Sequence, residues 1–189
     1  AAAVPVYGCG FLHEGESVQK PAIDNLEMPA EWVKLYDPSS YLGACRVPIL
    51  FVNGNQDKHY PLDSYAKSYE LVPGDKSIRI EVGMKHSHQH GWAPEEIGLF
   101  IDGHCNQGYP LAKLGKPQIR DGQVIVSVES SLPIKEAKLH FTRSEGPLTK
   151  RKWELQPVAF EGGKVTTKTP PKEATIWFIS VTDERGAMV

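Results

Sequence analysis

Hydrophobic and polar positions follow two different patterns along the chain. In the first part, residues 48–54 (PILFVNG) form a continuous apolar run, typical of a parallel strand buried on both faces. Residues 62–71 carry apolar side chains at helical spacing and are followed by Pro73-Gly74, which ends a helix. Residues 77–82 (SIRIEV) alternate apolar and polar, which predicts a second strand. Strands that alternate with helices predict an α/β sheet.

The second part of the chain has strand signals only. Turn pairs such as Asp121-Gly122 and Gly162-Gly163 separate its short apolar runs. The predicted strands are 124–128, 138–142, 152–155, 164–167 and 175–181. This pattern predicts a small antiparallel β-sandwich of the immunoglobulin-like kind. We therefore expect two domains, 1–114 and 115–189, joined at Gly115-Lys116-Pro117.

Composition narrows the class of partners. The chain has 189 residues, 40% hydrophobic and 23% charged, which indicates a globular protein. A net charge of -2 provides no basic surface for nucleic acid, and the apolar runs are too short to span a bilayer. We expect neither a nucleic-acid nor a membrane partner. Three cysteines are too few and too scattered for a disulfide framework.

Candidate chemistry follows the two predicted parallel strands. Asp57 comes just after the first, in Gly-Asn-Gln-Asp, and three histidines, His86, His88 and His90, follow the second. Open parallel sheets place their sites beyond the carboxyl ends of the strands. An aspartate there can orient an imidazole, or the histidines can bind a metal ion. An extended segment points alternate side chains to opposite sides, so three metal ligands from residues 86–90 would require a looped backbone.

The order of these features is informative. A strand ending in Gly-x-x-Asp, a helix, a strand and a histidine loop follow one another as in the second half of an α/β-hydrolase, whose triad runs nucleophile, acid, base. Asp57 and either His86 or His88 fit the last two members. Tyr60 and Trp92 flank this expected site and are candidates for the substrate pocket.

Three segments carry a resemblance to a known family. Residues 32–42 (WVKLYDPSSYL), 48–69 and 84–97 resemble bacterial α/β-hydrolases described as acetyl xylan esterase-like or PhoPQ-activated pathogenicity-related proteins, over roughly residues 1–103. The resemblance implies Ser-His-Asp ester hydrolysis without a cofactor, an acetylated carbohydrate substrate, and a periplasmic or secreted location. It places the acid at Asp57 and the base at His86 or His88. His86 is preferred because it lies four residues after Val82.

The chain departs from this family in one respect. It has no Gly-x-Ser-x-Gly, and Gly8-Cys9-Gly10 lacks the strand-to-helix context of a nucleophile. The resemblance implies a nucleophile and oxyanion hole upstream of Ala1. Residues 1–7 resemble a central strand, so we expect a missing N-terminal half or a second copy to cover them. The alternatives are a metal-dependent hydrolase that uses His86, His88 and His90, and a non-catalytic binding module.

Overall fold

The computed structural model describes all 189 residues and divides them into two compact units, residues 1–97 and 98–189. The boundary lies earlier than the one predicted from composition at 114/115. Residues 113–114, for example, form antiparallel pairs with the strand at 123–129 and so belong to the second unit.

The first unit alternates short helices with two strands. Its elements are α1 (Lys20–Asp24), α2 (Pro29–Tyr36), α3 (Ser39–Leu42), β1 (Ile49–Gly54), α4 (Leu62–Leu71), β2 (Lys76–Glu81) and α5 (His88–Trp92). A further helix, α6 (Glu96–Cys105), crosses the unit boundary in sequence. The strands and the long helix predicted for residues 48–54, 62–71 and 77–82 are confirmed to within one residue.

β1 and β2 form a parallel pair connected through α4. Their register runs from Ile49 opposite Lys76 to Gly54 opposite Glu81, so both strands end at the same edge. Every residue of β1 is buried, as a continuous apolar run predicts.

Residues 1–7 follow β1 on its other side but form only isolated parallel bridges, Ala3 with Ile49 and Val6 with Val52. The Tyr7 amide donates to the Val52 carbonyl at 3.1 Å, and the Pro5 carbonyl accepts from the Val52 amide at 3.0 Å. Pro5 has no N–H to donate, so the ladder is interrupted there and the predicted strand is confirmed only in part.

The second unit contains the remaining strands, in two antiparallel sheets. These are β3 (Lys113–Leu114), β4 (Gln118–Arg120), β5 (Gln123–Glu129), β6 (Ile134–Thr142), β7 (Glu154–Pro157), β8 (Ala159–Glu161), β9 (Lys164–Lys168) and β10 (Ile176–Asp183). One sheet has the order β10-β6-β7, and the other has the order β3-β5-β9-β8 with β4 also pairing with β5. Beyond residue 118 the only helical element is a 3₁₀ turn, Leu148–Lys150. The chain as a whole therefore mixes helices with antiparallel sheets.

None of the helices combines the length and the apolar character that a membrane-spanning segment needs.

A titratable side chain is buried in the β10-β6-β7 sheet. His140 is 3% exposed, its Nε2 lies 2.8 Å from the Ser180 hydroxyl, and its ring stacks on Phe178 at 4.4 Å. Its Nδ1 atom is buried without a hydrogen-bond partner. Burial, reinforced by the nearby charge of Lys138, lowers the pKa of His140 from 6.5 to about 4. The imidazole is therefore neutral in the folded protein at neutral pH.

The second unit should lose stability in mild acid. Between pH 6.5 and about pH 4, His140 binds a proton more readily in the unfolded chain than in the folded one. Its contribution to the free energy of unfolding is therefore complete above pH 6.5 and declines as the pH falls. The gap between 6.5 and about 4 corresponds to a loss of at most about 3 kcal/mol. Urea unfolding from about pH 8 to about pH 4, followed by the NMR signals of β6, measures this slope.

The variant His140→Gln keeps an amide that can bond to Ser180 but does not titrate, so it should flatten the slope. His88→Gln, at an exposed position, is the matched control and should keep it. An unchanged slope in His140→Gln would assign the acid sensitivity to another group.

Candidate functional site

The loop after β1 holds a buried carboxylate in a fixed orientation. Asp57 is 6% exposed, and its Oδ1 accepts hydrogen bonds from the backbone amides of His59 at 2.8 Å and Tyr60 at 3.1 Å. Its own amide donates to the Gly54 carbonyl at 3.3 Å. The loop thus closes around the carboxylate and leaves Oδ2 for another donor.

That donor is His86, from the loop after β2. Its Nδ1 lies 2.7 Å from Asp57 Oδ2. Because a carboxylate only accepts, the Nδ1–H donates, and in the neutral ring Nε2 is left as a base. The His86 side chain is 42% exposed while that of Asp57 is 2% exposed. No hydrogen bond joins Nε2 to any group of the chain. Asp57 therefore holds Nδ1 of His86 and leaves Nε2, the basic nitrogen, on the side of the ring away from the buried carboxylate.

Two buried asparagines hold the backbone around this pair. The Asn55 amide donates to the Glu81 carbonyl at 3.1 Å, and Asn55 Oδ1 accepts from the Gly83 amide at 2.7 Å. Asn53 Nδ2 donates to the Tyr60 carbonyl at 2.6 Å. Asn55 therefore joins the ends of β1 and β2 in addition to the strand ladder, and Asn53 fixes the loop between β1 and α4.

Aromatic rings surround the His86 imidazole. Tyr7 stacks on it at 4.3 Å and 20°, Tyr60 lies nearly parallel at 6.0 Å and 11°, and His59 is tilted at 5.2 Å. Tyr60 thus lies beside the base, where the sequence predicted it. Tyr7 was not among the predicted site residues, because its role depends on contacts across 78 positions of sequence.

Burial raises the pKa of the Tyr7 phenol, the bond with the Ser87 backbone opposes this, and the charge of Asp57 adds to the rise. Tyr7 therefore stays a neutral hydrogen-bond donor at neutral pH.

The other residues of the histidine loop have different surroundings. Ser87 is the N-cap of α5, and its hydroxyl lies 2.7 Å from His90 Nδ1 and accepts from the His90 amide at 3.3 Å. His88 is exposed and does not contact Asp57. Trp92, proposed for the pocket, is 77% exposed. The structure therefore pairs Asp57 with His86 and not with His88.

The histidines do not converge on a common point. No three His, Cys, Asp or Glu side chains of the chain are grouped so that they could hold a metal ion. His86 and His90 each direct Nδ1 at a different partner, so the alternative ligand set of His86, His88 and His90 is not assembled.

Cys9 is unsuited to act as a nucleophile in this structure. It is 3% exposed, and burial, with the charge of Asp37, raises the pKa of its thiol. A thiol held protonated is a weak nucleophile. Gly8-Cys9-Gly10 is thus a loop with a buried thiol, and no helix directly follows it, as its sequence context indicated.

A second buried carboxylate holds that loop in place. Asp37 is 0% exposed, and it accepts from the amides of Phe11 at 2.9 Å, Leu12 at 3.1 Å and Ser39 at 2.8 Å. Burial raises the pKa of Asp37, but the bonds from Ser39, Phe11 and Leu12 outweigh it and hold the pKa below its usual value. A Cβ at Gly10 would lie 2.3 Å from the Ser39 nitrogen, so only glycine fits there.

Gly54 is expected to be essential for the geometry of the pair. A Cβ at this position would lie 2.6 Å from the Met84 carbonyl oxygen, on the loop that carries His86. The substitution Gly54→Ala should therefore destabilise the protein by about 1–3 kcal/mol through overpacking. It should also weaken the contact between His86 and Asp57, measured as faster solvent exchange of the His86 Nδ1 proton.

Gly98→Ala is the control, because a Cβ there meets nothing within 4 Å and the residue lies in α6. It should be neutral or stabilise by up to about 1 kcal/mol. Equal effects of the two substitutions would show that the close approach at Gly54 is unimportant.

Comparison with known proteins places the chain in one family. Residues 17–148 match the family described as PhoPQ-activated pathogenicity-related protein. This range contains Asp57, His86 and both strands that position them. No curated protein and no solved structure matches the chain. Because the match extends over more than half of the 189 residues, the chain belongs to the PhoPQ-activated pathogenicity-related protein family.

Proposed function

We propose that this chain carries the acid and the base of a serine-type carboxylic ester hydrolase. The observation that supports the proposal is the 2.7 Å contact between His86 Nδ1 and Asp57 Oδ2, with no partner at Nε2 and the His86 side chain 42% exposed. An acid that holds Nδ1–H in place presents Nε2 as a general base.

In the proposed reaction, Nε2 of His86 removes the proton of a serine hydroxyl as its oxygen attacks the ester carbonyl. Asp57 stabilises the imidazolium that forms and keeps the ring in position. Nε2 then returns the proton to the leaving alcohol, which departs as the tetrahedral intermediate collapses to an acyl-enzyme. Water, deprotonated by the same nitrogen, releases the acid and regenerates the serine.

The chain holds no Gly-x-Ser-x-Gly, so the proposed scheme requires a serine from outside the 189 residues. The oxyanion-hole donors come with it, since they accompany the nucleophile in α/β-hydrolases. The resemblance of the segments around Asp57 and His86 to acetyl xylan esterase-like proteins supports an acetylated carbohydrate as substrate. Tyr60 lies beside the base and would line the acyl or sugar site.

We also propose a fold type for each of the two units. The parallel β1-β2 pair with α4 between its strands is compatible with part of an α/β-hydrolase sheet. The two antiparallel sheets of the second unit are compatible with an immunoglobulin-like sandwich. The outward backbone groups of Val4 and Val6 have no backbone partner, so a strand of another polypeptide or a second copy would pair there.

The test uses the natural gene product that contains these residues, assayed on 4-nitrophenyl acetate and on acetylated xylan. Asp57→Asn should lower kcat by about 10⁴-fold, because the wrong tautomer of His86 is then favoured. His86→Ala should cost at least as much. His88→Ala is the matched control and should leave kcat unchanged, because His88 is exposed and does not contact Asp57.

A fluorophosphonate should abolish the activity and label a serine. Activity that survives His86→Ala would contradict the proposal. If a chelator removes the activity and a fluorophosphonate does not, the function would be metal-dependent hydrolysis and not serine catalysis.

A further inference from the structure

We infer that Tyr7 is a positioning residue that holds the His86 imidazole in its productive orientation. The inference rests on the proposed function of His86 as the base. The Tyr7 side chain makes no hydrogen bond to Asp57 or to the His86 imidazole. It acts by stacking on the His86 ring and by bonding to the backbone beside His86.

The first contact is ring on ring. The Tyr7 and His86 centroids are 4.3 Å apart and their planes differ by 20°. Tyr60 also stacks on the same imidazole, but at the longer centroid distance of 6.0 Å. The hydrogen bond to Asp57 fixes only one ring atom, and of the rings around His86 that of Tyr7 lies closest and opposes rotation about that bond.

The second contact is with the backbone that carries His86. The Tyr7 hydroxyl donates to the Lys85 carbonyl at 2.7 Å, and the Ser87 carbonyl lies 3.3 Å away. These carbonyls belong to the two chain neighbours of His86. One side chain therefore holds both the imidazole plane and the peptide groups on either side of it.

Tyr7 is itself held rigidly. Its amide donates to the Val52 carbonyl at 3.1 Å, and the following amide, of Gly8, donates to the Tyr65 hydroxyl at 2.8 Å. Its backbone has φ 53°, which a non-glycine residue adopts only where the surroundings require it. A Cβ at Gly91 would lie 2.8 Å from Tyr7 Cε2, so the ring packs directly on the α5 backbone.

This arrangement has a kinetic consequence. A general base must meet its proton within hydrogen-bond distance and along the lone pair, and a displacement of about 1 Å can cost about 100-fold in rate. Removal of the Tyr7 ring leaves His86 bonded to Asp57 but free to tilt. The expected signature is a fall in kcat with little change in KM.

The experiment compares Tyr7→Leu and Tyr7→Phe in two measurements. The first is the solvent-exchange rate of the His86 Nδ1 proton, read by NMR in the 189-residue chain, which does not depend on catalysis. The second is kcat and KM of the natural gene product on 4-nitrophenyl acetate. Tyr41→Leu and Tyr41→Phe are the controls, because the Tyr41 hydroxyl makes an equivalent 2.7 Å bond to the Leu35 carbonyl away from the site.

Tyr7→Leu should speed the exchange of the Nδ1 proton at least tenfold and lower kcat by about 100-fold. Tyr7→Phe keeps the ring but loses the hydroxyl bond, so both quantities should change between about twofold and tenfold. The Tyr41 variants should change neither.

Unchanged exchange and unchanged kcat in Tyr7→Phe would overturn the inference, and this variant decides the matter if Tyr7→Leu fails to fold. Equal losses in the Tyr7 and Tyr41 variants would also overturn it, since the effect would then be general stability. If the exchange changes as expected but no hydrolysis depends on His86, the positioning role stands and the proposed function fails.

Discussion

The Asp57 carboxylate is the group on which the geometry of the first unit depends, because it bonds to two loops at once. One oxygen binds the amides of its own loop and the other binds the His86 imidazole. A buried carboxylate is tolerated only when its oxygens are hydrogen-bonded, so neither loop can move without exposing the charge or leaving it unpaired. The parallel register of β1 and β2 brings the two loops to the same edge.

A second buried carboxylate holds backbone segments together in this unit. Asp37 binds three backbone amides from two segments and is fully buried. The helices here are short, from four to ten residues, and α2 buries no side chain. Loops held by carboxylates therefore supply order that longer helices supply in other folds. Glycines 10 and 54 allow the required close approach, since a Cβ at either would lie within 2.6 Å of a backbone atom.

Periodicity predicted β1, β2 and α4 well, because burial on both faces, alternation and helical spacing are local signals. The order of acid and histidine predicted that Asp57 and a histidine of residues 86–90 would meet, and the structure identifies His86. The elements that were not predicted are short, such as α5 and the two-residue β3, and their existence depends on tertiary pairing. Tyr7 could not be identified as a neighbour of His86, because their stacking depends on how residues far apart in sequence meet in the fold.

The three thiols of the chain differ in a way that is useful for chemistry in solution. Cys9 is buried with a raised pKa, Cys45 is partly covered, and Cys105 is exposed. A maleimide or a spin label reacts with accessible thiolates, so it will modify Cys105 first and leave the packed loop near Asp37 intact. The unmodified protein therefore already carries an attachment point at the end of α6, where a probe can report on the second unit without an engineered cysteine.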